Sequence, residues 1–536
     1  MPGGSELEVK LAVSDTRIFD LITTDPEILS MVESGAPVTR SFEALYYDTP
    51  NFSLQKSGFA YRVRHEGDEW FATVKCDTGT SGGFFSREEW NEKVEGPSPS
   101  TKPFAGTHAG DQLDVAIGEE KLQLLFSTRF MRTVLLLKTA AGAQVELALD
   151  RGTIWSGMDG TPIGELELEL KSGPVSELMQ LSGLIAVRWH LLPEVRSKYA
   201  RGLELLKRSR QDDPDLSAVP EHKEMTAPTP IALVNACISR IFFYQTRILE
   251  QKATPESVRE LRIQCRRLRS LLKFFQPILS KDAGKLHVDR LRQWGVLLGG
   301  IRDIDVLINT WQKFATRFSP IFTSSAHWLE VLKERRDFLS EDIMHHLTQG
   351  EFTQHIFELQ GWLYQAEVNH PAIEDEQAAD IPVRKMLLQT LKELRDDIHT
   401  VEETTEMKVL HQFRIRIKQL RYIQEALNDI SRYRDEDFTA ALKKIQSHIG
   451  KIHDAYQIKS LLDQFDAGNV DEKFLLEKEL FLSWRNRDTV ETFSTLSAAV
   501  AVFRRTAKLR LRTLTALRTN RGAKSRHNTG SHEPSE

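Results

Sequence analysis

A chain of 536 residues is longer than one hydrophobic core organises, so at least two domains are expected. The formal net charge of −5 excludes a uniformly basic protein, and three cysteines (Cys76, Cys237, Cys265) without metal-ligand spacing exclude a disulfide framework and point to a reducing compartment. The N-terminus lacks the apolar core of a signal peptide and no stretch reaches the ~18 apolar residues of a membrane span, so a soluble cytoplasmic protein with no membrane partner is the expectation.

Glu6-Leu7-Glu8-Val9-Lys10 opens the chain with charged and apolar residues in strict alternation. As a strand it sends both carboxylates and the ammonium to one face, with the carboxylates about 7 Å apart. A helix over about 15–33 follows. Alternation returns in Ala60 to Arg64, Phe71 to Lys75, Val145 to Asp150 and Glu165 to Leu170, with turn signals between them, and a second helix spans about 175–186. An Asp-, Pro- and Ser-rich linker covers 207–229. Beyond it, over 230–515, the apolar period becomes helical, as in Leu261, Cys265, Leu268 and Leu272. Residues 516–536 form a basic, polar tail predicted to be disordered.

Within each strand the charges share a face: Glu6, Glu8 and Lys10; Arg62 and Arg64; Thr73 and Lys75; Arg87 and Glu89; Glu146 and Asp150; Glu165, Glu167 and Glu169. An open sheet with a solvated outer face explains such alternation in general. It does not explain three glutamates at alternate positions, which repel one another unless positive charge sits among them. A divalent metal with oxygen ligands supplies that charge, and Arg and Lys then hold the anion that accompanies it.

The helical half repeats itself. Arg262 precedes Asp303 by nearly the interval that separates Arg414 from Asp454, each pair following a similar cationic helix, so two duplicated helical bundles are predicted. Arg259, Arg262, Arg266, Arg269 and Lys273 fall on one helix face, and His411, Arg414, Lys418 and Arg421 on another. Solvated helix faces interleave opposite charges at i, i+4; stacked like charges favour a bound polyanion. Few aromatics interleave these stripes, which disfavours single-stranded nucleic acid without excluding it.

The ordered set Glu6 to Lys10, Tyr46-Tyr47-Asp48-Thr49-Pro50, Tyr61-Arg62-Val63-Arg64, Thr73-Val74-Lys75, Arg87-Glu88-Glu89-Trp90, Leu125 to Thr128 before Phe130 and Arg132, Glu165 to Glu169, and Ser197 to Gly202 resembles the CYTH family of triphosphate tunnel metalloenzymes, in its inorganic triphosphatase branch, over 1–206. The resemblance implies an α+β domain around an eight-stranded antiparallel β tunnel. It further implies Mg²⁺- or Mn²⁺-dependent cleavage of inorganic triphosphate. Glu6, Glu8, Lys10, Lys75, Arg87 and Glu89 are then the catalytic set, and Lys10, Arg62, Arg64, Lys75, Arg87, Arg132, Lys198 and Arg201 grip phosphate. Glu6, Glu8, Glu146, Glu165, Glu167 and Glu169 are the metal set.

The helical half resembles the CHAD domain through Leu261 to Arg269, Leu298 to Leu307 and His411 to Tyr422, which implies an all-α domain that binds inorganic polyphosphate. Arg259 stands where that family's first repeat has histidine, which keeps anion affinity but removes a metal-ligating role there. Hydrolysis or cyclisation of an organic triphosphate in the same tunnel, and non-catalytic polyphosphate binding, are the alternative readings.

Overall fold

The computed structural model describes residues 6–33, 36–76, 80–81, 84–210, 229–251, 253–279, 281–318, 325–367, 376–403, 406–465 and 472–516; the side chains of Glu6 and of 84–88 lie outside the described set. The expected tail beyond Ala516 and most of the linker lie outside it as well.

Ten strands form in the N-terminal part: β1 (Glu6–Ala12), β2 (Val38–Asp48), β3 (Phe59–Glu66), β4 (Glu69–Cys76), β5 (Thr80–Ser81), β6 (Phe84–Val94), β7 (Gln123–Lys138), β8 (Gln144–Ser156), β9 (Asp159–Ser172) and β10 (Leu192–Pro193). Hydrogen bonding runs β1-β9-β8-β7-β2-β3-β4-β6, and β6 returns to β1 from Glu6 opposite Arg87 to Val9 opposite Phe84. The eight long strands therefore close into an antiparallel tunnel; β5 and β10 are short additions at its margin. Period two decides which side chains point inward. Val9, Leu11, Val63, Val74, Leu147, Leu166 and Leu168 face outward and are completely buried under covering segments. Each contributes about 1.5–3 kcal/mol of hydrophobic stabilisation, which leaves the charged faces to line the interior.

The covering helices follow local rules. Where one helix was expected over 15–33, two short ones form, Ile18–Thr24 and Pro26–Met31. Pro26 cannot continue a helix from the residues before it, but suits the first turn of a new one, which Asp25 caps by accepting from the backbone N–H of Glu27 and Ile28. The helix Val175–Arg188 packs on β9. The helix Lys198–Ser209 starts where Ser197 Oγ accepts from Ala200 N–H at 3.1 Å, and its Leu203 and Leu206 join Tyr46, Phe126 and Phe130 in an apolar cluster.

Helices account for the rest of the described chain. Packing divides the molecule into two compact units, and the division does not follow the change of fold type at 207–229. The first holds Met1–Lys223 with Val234–Ser257 and Ile343–Val368, so the Glu351–Glu367 helix lies against Val175–Arg188. Gly361 permits that approach, since a Cβ there would sit 3.3 Å from Met179 Cβ. The second unit holds Glu224–Leu233, Val258–Asp342 and Asn369–Glu536. It contains both repeats: Pro255–Phe274 with Lys281–Phe318, and Met407–Leu427 with Glu436–Phe465.

Candidate active site and polyanion cavity

The tunnel encloses a cavity of about 450 Å³. Lys10, Arg62, Arg64, Lys75, Arg132 and Lys198 line it together with Glu8, Glu89, Glu167 and Glu169. Strand register pairs these charges in three ways.

One group is a closed ionic cluster. Lys10 stands opposite Glu167, and Arg132 opposite Asp150. Arg132 donates to both Asp150 oxygens at 2.7 Å and to Glu167. Lys198 reaches Asp150 at 2.7 Å, Glu165 at 2.6 Å and Glu167 at 3.0 Å, Lys10 reaches Glu167 at 2.5 Å, and Arg201 pairs with Glu165. Asp150, Glu165 and Glu167 are close enough to share one metal ion. Yet all six of their oxygens already accept from a cation, and Asp150 and Glu165 are fully buried. Against the cost of burial, Arg132 and Lys10 hold the Glu167 carboxyl well below the usual range. Removing any one partner would strand a buried charge, so this cluster is a structural floor.

The second group has surplus positive charge. Lys75 pairs with Glu89 at 2.5 Å, while Arg62 lies 3.5 Å from the same carboxylate and donates to Tyr46 Oη at 3.4 Å. Among the described residues Arg64 has Glu66 as its ion-pair partner, at 3.5 Å, and it rests over the Phe42 ring, 5.7 Å from its centre. The Nε atoms of Arg62 and Arg64 are buried without an acceptor among the described residues. Burial and then Arg62 push Arg64 down to about 10 and also lower Lys75. Burial acts the other way on Glu89, but Lys75 and Arg62 overcome it and hold the carboxyl near 2. Burial first and Arg62 second lower Lys75, whereas Glu89 is lowered by the cations themselves, in a corner where the described cations outnumber the described carboxylates.

The third group is the reverse. Glu8 stands directly opposite Glu169, and Glu169 opposite Glu146. Lys10 approaches Glu8 at 3.2 Å and Lys171 approaches Glu169 at 2.7 Å, in each case at one oxygen.

Of the predicted residues, Glu146, Glu165 and Arg201 are outside the cavity lining: Glu146 pairs with Lys171, and Glu165 and Arg201 with each other. Glu6 and Arg87 are opposed across β1 and β6, but their side chains lie outside the described set. Asp150, which sequence reasoning put on the charged face without a role, anchors Arg132 and Lys198; its four-residue spacing from Glu146 was the signal. His65 stacks on Trp70 at 4.5 Å on the opposite parity from Arg64.

In the second unit, both cationic stripes line one cavity of about 870 Å³. Arg262, Arg266, Arg269 and Lys273 enter from one helix and His411, Arg414, Lys418 and Arg421 from the other. Arg259 is not among the lining residues and pairs with Glu260 at 2.6 Å. One repeat acid returns to its own arginine, Asp454 lying 3.4 Å from Arg414, while Asp303 acts on Arg262 without an ion pair among the described residues. Burial, then neighbouring Arg266, pushes Arg262 down to about 10. Arg510, near the C-terminal end of the Glu472–Ala516 helix, is buried and donates to Tyr433 O at 2.5 Å.

Residues 4–190 match the CYTH domain and residues 232–463 match the CHAD domain. The chain joins a CYTH domain to a CHAD domain. The inorganic triphosphatase of Haemophilus influenzae is 31% identical over 198 residues, which is 37% of this chain and 54% of the relative. The chain thus spans about half the length of that curated relative. Among solved structures, an adenylyl cyclase candidate from Hippeastrum described as having a dominant triphosphatase activity is 17% identical, with 37% of this chain and 95% of that one covered and a TM-score of 0.29. The CHAD domain of Ricinus communis is 18% identical, with 54% and 97% covered and a TM-score of 0.37. Among the described residues no helix is long and apolar enough to cross a membrane.

Proposed function

We propose that the CYTH tunnel hydrolyses inorganic triphosphate to diphosphate and phosphate with Mg²⁺ or Mn²⁺, and that the CHAD cavity binds inorganic polyphosphate. The observation that carries the first part is the separation of charge inside one closed tunnel: a cation-rich corner at Arg62, Arg64 and Lys75, and an opposed carboxylate pair at Glu8 and Glu169. The related triphosphatase supports the choice of substrate.

The donor set fits a hard divalent cation. Glu8 and Glu169 bring two carboxylates together across the strand pair, and like charges directly opposed on a sheet are otherwise destabilising. Bound there, the ion supplies positive charge to phosphate oxygens and lowers the pKa of water. The chain's own residues do the rest. Arg62 and Arg64 present planar forks that suit paired phosphate oxygens, and Lys75 adds a point charge. Phosphoryl transfer needs little covalent help, so preorganised cations around the chain of phosphates account for most of the acceleration. The floor of Lys198, Arg132, Asp150, Glu165 and Glu167 fixes Lys10 and Arg132 before substrate arrives.

Phosphate release from tripolyphosphate, ATP and long-chain polyphosphate, with Mg²⁺ and after chelation, tests the tunnel. Tripolyphosphate is expected to be preferred, with activity lost on chelation and in Glu8→Ala. A preference for ATP would replace inorganic with organic triphosphate as substrate. For the CHAD cavity, Arg262→Ala/Arg414→Ala is expected to weaken polyphosphate binding at least tenfold.

A further inference from the structure

The CHAD cavity holds a lysine set among arginines. Lys418 lines it, and its ammonium has no hydrogen-bond acceptor or carboxylate at ion-pair distance among the described residues. Arg414, one turn earlier on the same helix, faces it, and Arg262 and Arg266 face it from the Pro255–Phe274 helix. Asp454, on Glu436–Phe465, is the opposing acid, but it is already engaged with Arg414 at 3.4 Å. Asp303 on Lys281–Phe318 is directed to Arg262 and Arg266, with Arg302 beside it. Lys451 adds a further positive charge to the lining, and His411 a titratable ring. The cavity also contains buried Nε atoms of Arg262 and Arg414 without acceptors. Three guanidiniums around a half-buried amine, with Asp454 already paired to Arg414, form a place where an ammonium ion is unfavourable until an anion arrives.

Resting on the reading that this cavity binds polyphosphate, we infer that Lys418 takes up a proton from solvent as the phosphate chain enters, so that binding is coupled to pH. The amine gains H⁺ on Nζ and no other bond changes. In the empty cavity burial, followed by Arg414, Arg266 and Arg262, brings Lys418 down to about 6 from 10.5. It is therefore largely neutral at pH 7.5. Phosphate oxygens reverse the local potential and restore the charged form. The sign follows: affinity is highest at and below about pH 6, and declines as pH rises, by up to about tenfold per unit, until the value of the occupied site is reached.

The test uses the full-length chain with divalent metal chelated, so that the tunnel turns nothing over, and polyphosphate of defined length. Calorimetric titration at pH 7.5 in two buffers of different ionisation heat measures protons taken up per site. Uptake close to one proton is expected for the wild type. Lys418→Arg, which keeps the charge but cannot release it, is expected to bind with that uptake gone and with affinity at pH 8 at least as strong as wild type. Terminal phosphates titrate equally in both proteins and cancel in the comparison. His411→Gln is expected to leave the uptake in place. Binding with equal proton uptake in wild type and Lys418→Arg, or loss of uptake in His411→Gln, overturns the inference alone. No binding by the wild type at any pH overturns the polyphosphate reading and the inference together.

Discussion

Glu8 on β1 and Glu169 on β9 are directly opposed across the strand pair, two positions from Lys10 opposite Glu167. One register therefore makes an ion pair at one step and a like-charge pair at the next. The like-charge step is unfavourable by about 0.2–1 kcal/mol unless a cation bridges it. Glu8→Gln is expected to leave the metal-free protein as stable as wild type or slightly more so, because Lys10 retains Glu167 at 2.5 Å. If the proposed function holds, the wild type gains melting temperature with Mg²⁺, and the same variant is expected to lose most of that gain and of the Mg²⁺-dependent triphosphatase activity. Melting curves with and without Mg²⁺ check both halves; a Mg²⁺ shift that survives in Glu8→Gln would remove Glu8 from the metal site.

The ionic floor behaves differently. Lys198 is buried against Asp150, Glu165 and Glu167. Lys198→Met leaves those carboxylates short of a donor in a place water reaches poorly. A loss of about 3–5 kcal/mol is expected, measured by denaturant unfolding. Met fills much of the volume, so a small effect would show that Arg132, Lys10 and Arg201 satisfy the three carboxylates without Lys198.

Much of this was legible in the sequence, because period two in a strand and 3.6 in a helix assign faces without knowledge of partners. Glu6-x-Glu8-x-Lys10 and the Glu165 strand could be placed on charged faces for that reason. Register could not, since it belongs to pairs of strands: nothing within β9 distinguishes Glu165, which is sealed by Lys198 and Arg201, from Glu169, which faces the cavity. The helix break at Asp25 was visible in Pro26 and was missed by following the apolar period across it. In the helical half, each stripe could be read alone, but their convergence on one cavity depends on how four helices pack, which no single helix encodes.

Acid is expected to weaken the tunnel through its paired carboxylates. Glu89 is held near 2 against an ordinary value of 4.5, with Lys75 and Arg62 outweighing burial. A depressed folded-state value means that the stabilisation is present above about pH 4.5 and is lost as pH falls toward 2. Glu167 acts in the same direction. Unfolding free energy followed from pH 6 to pH 3 should therefore decline, and the decline should be shallower in Glu89→Gln, which starts lower because Lys75 is left without its 2.5 Å partner. An identical slope in the two proteins would show that Glu89 is not among the groups titrating.

The Lys198–Ser209 helix is seated through a glycine, and that contact sets the position of Lys198. A Cβ on Gly202 would lie 2.1 Å from Phe126 Cε2. Phe126 is 2% exposed and stacks on Tyr46 at 4.7 Å, so its ring has nowhere to turn. Gly202→Ala gains about 1 kcal/mol of helix propensity, but overpacking a rigid contact costs about 1–3 kcal/mol. The helix must lift, and Lys198, its first residue, moves away from Glu165 and Glu167. The expected result is a net loss of stability accompanied by a fall in triphosphate turnover. Gly202→Ala with Phe126→Leu opens space for the methyl group, and partial recovery of activity in the double variant would identify the ring contact as the cause. Full activity in Gly202→Ala alone would show that the helix can shift without disturbing the cations it delivers.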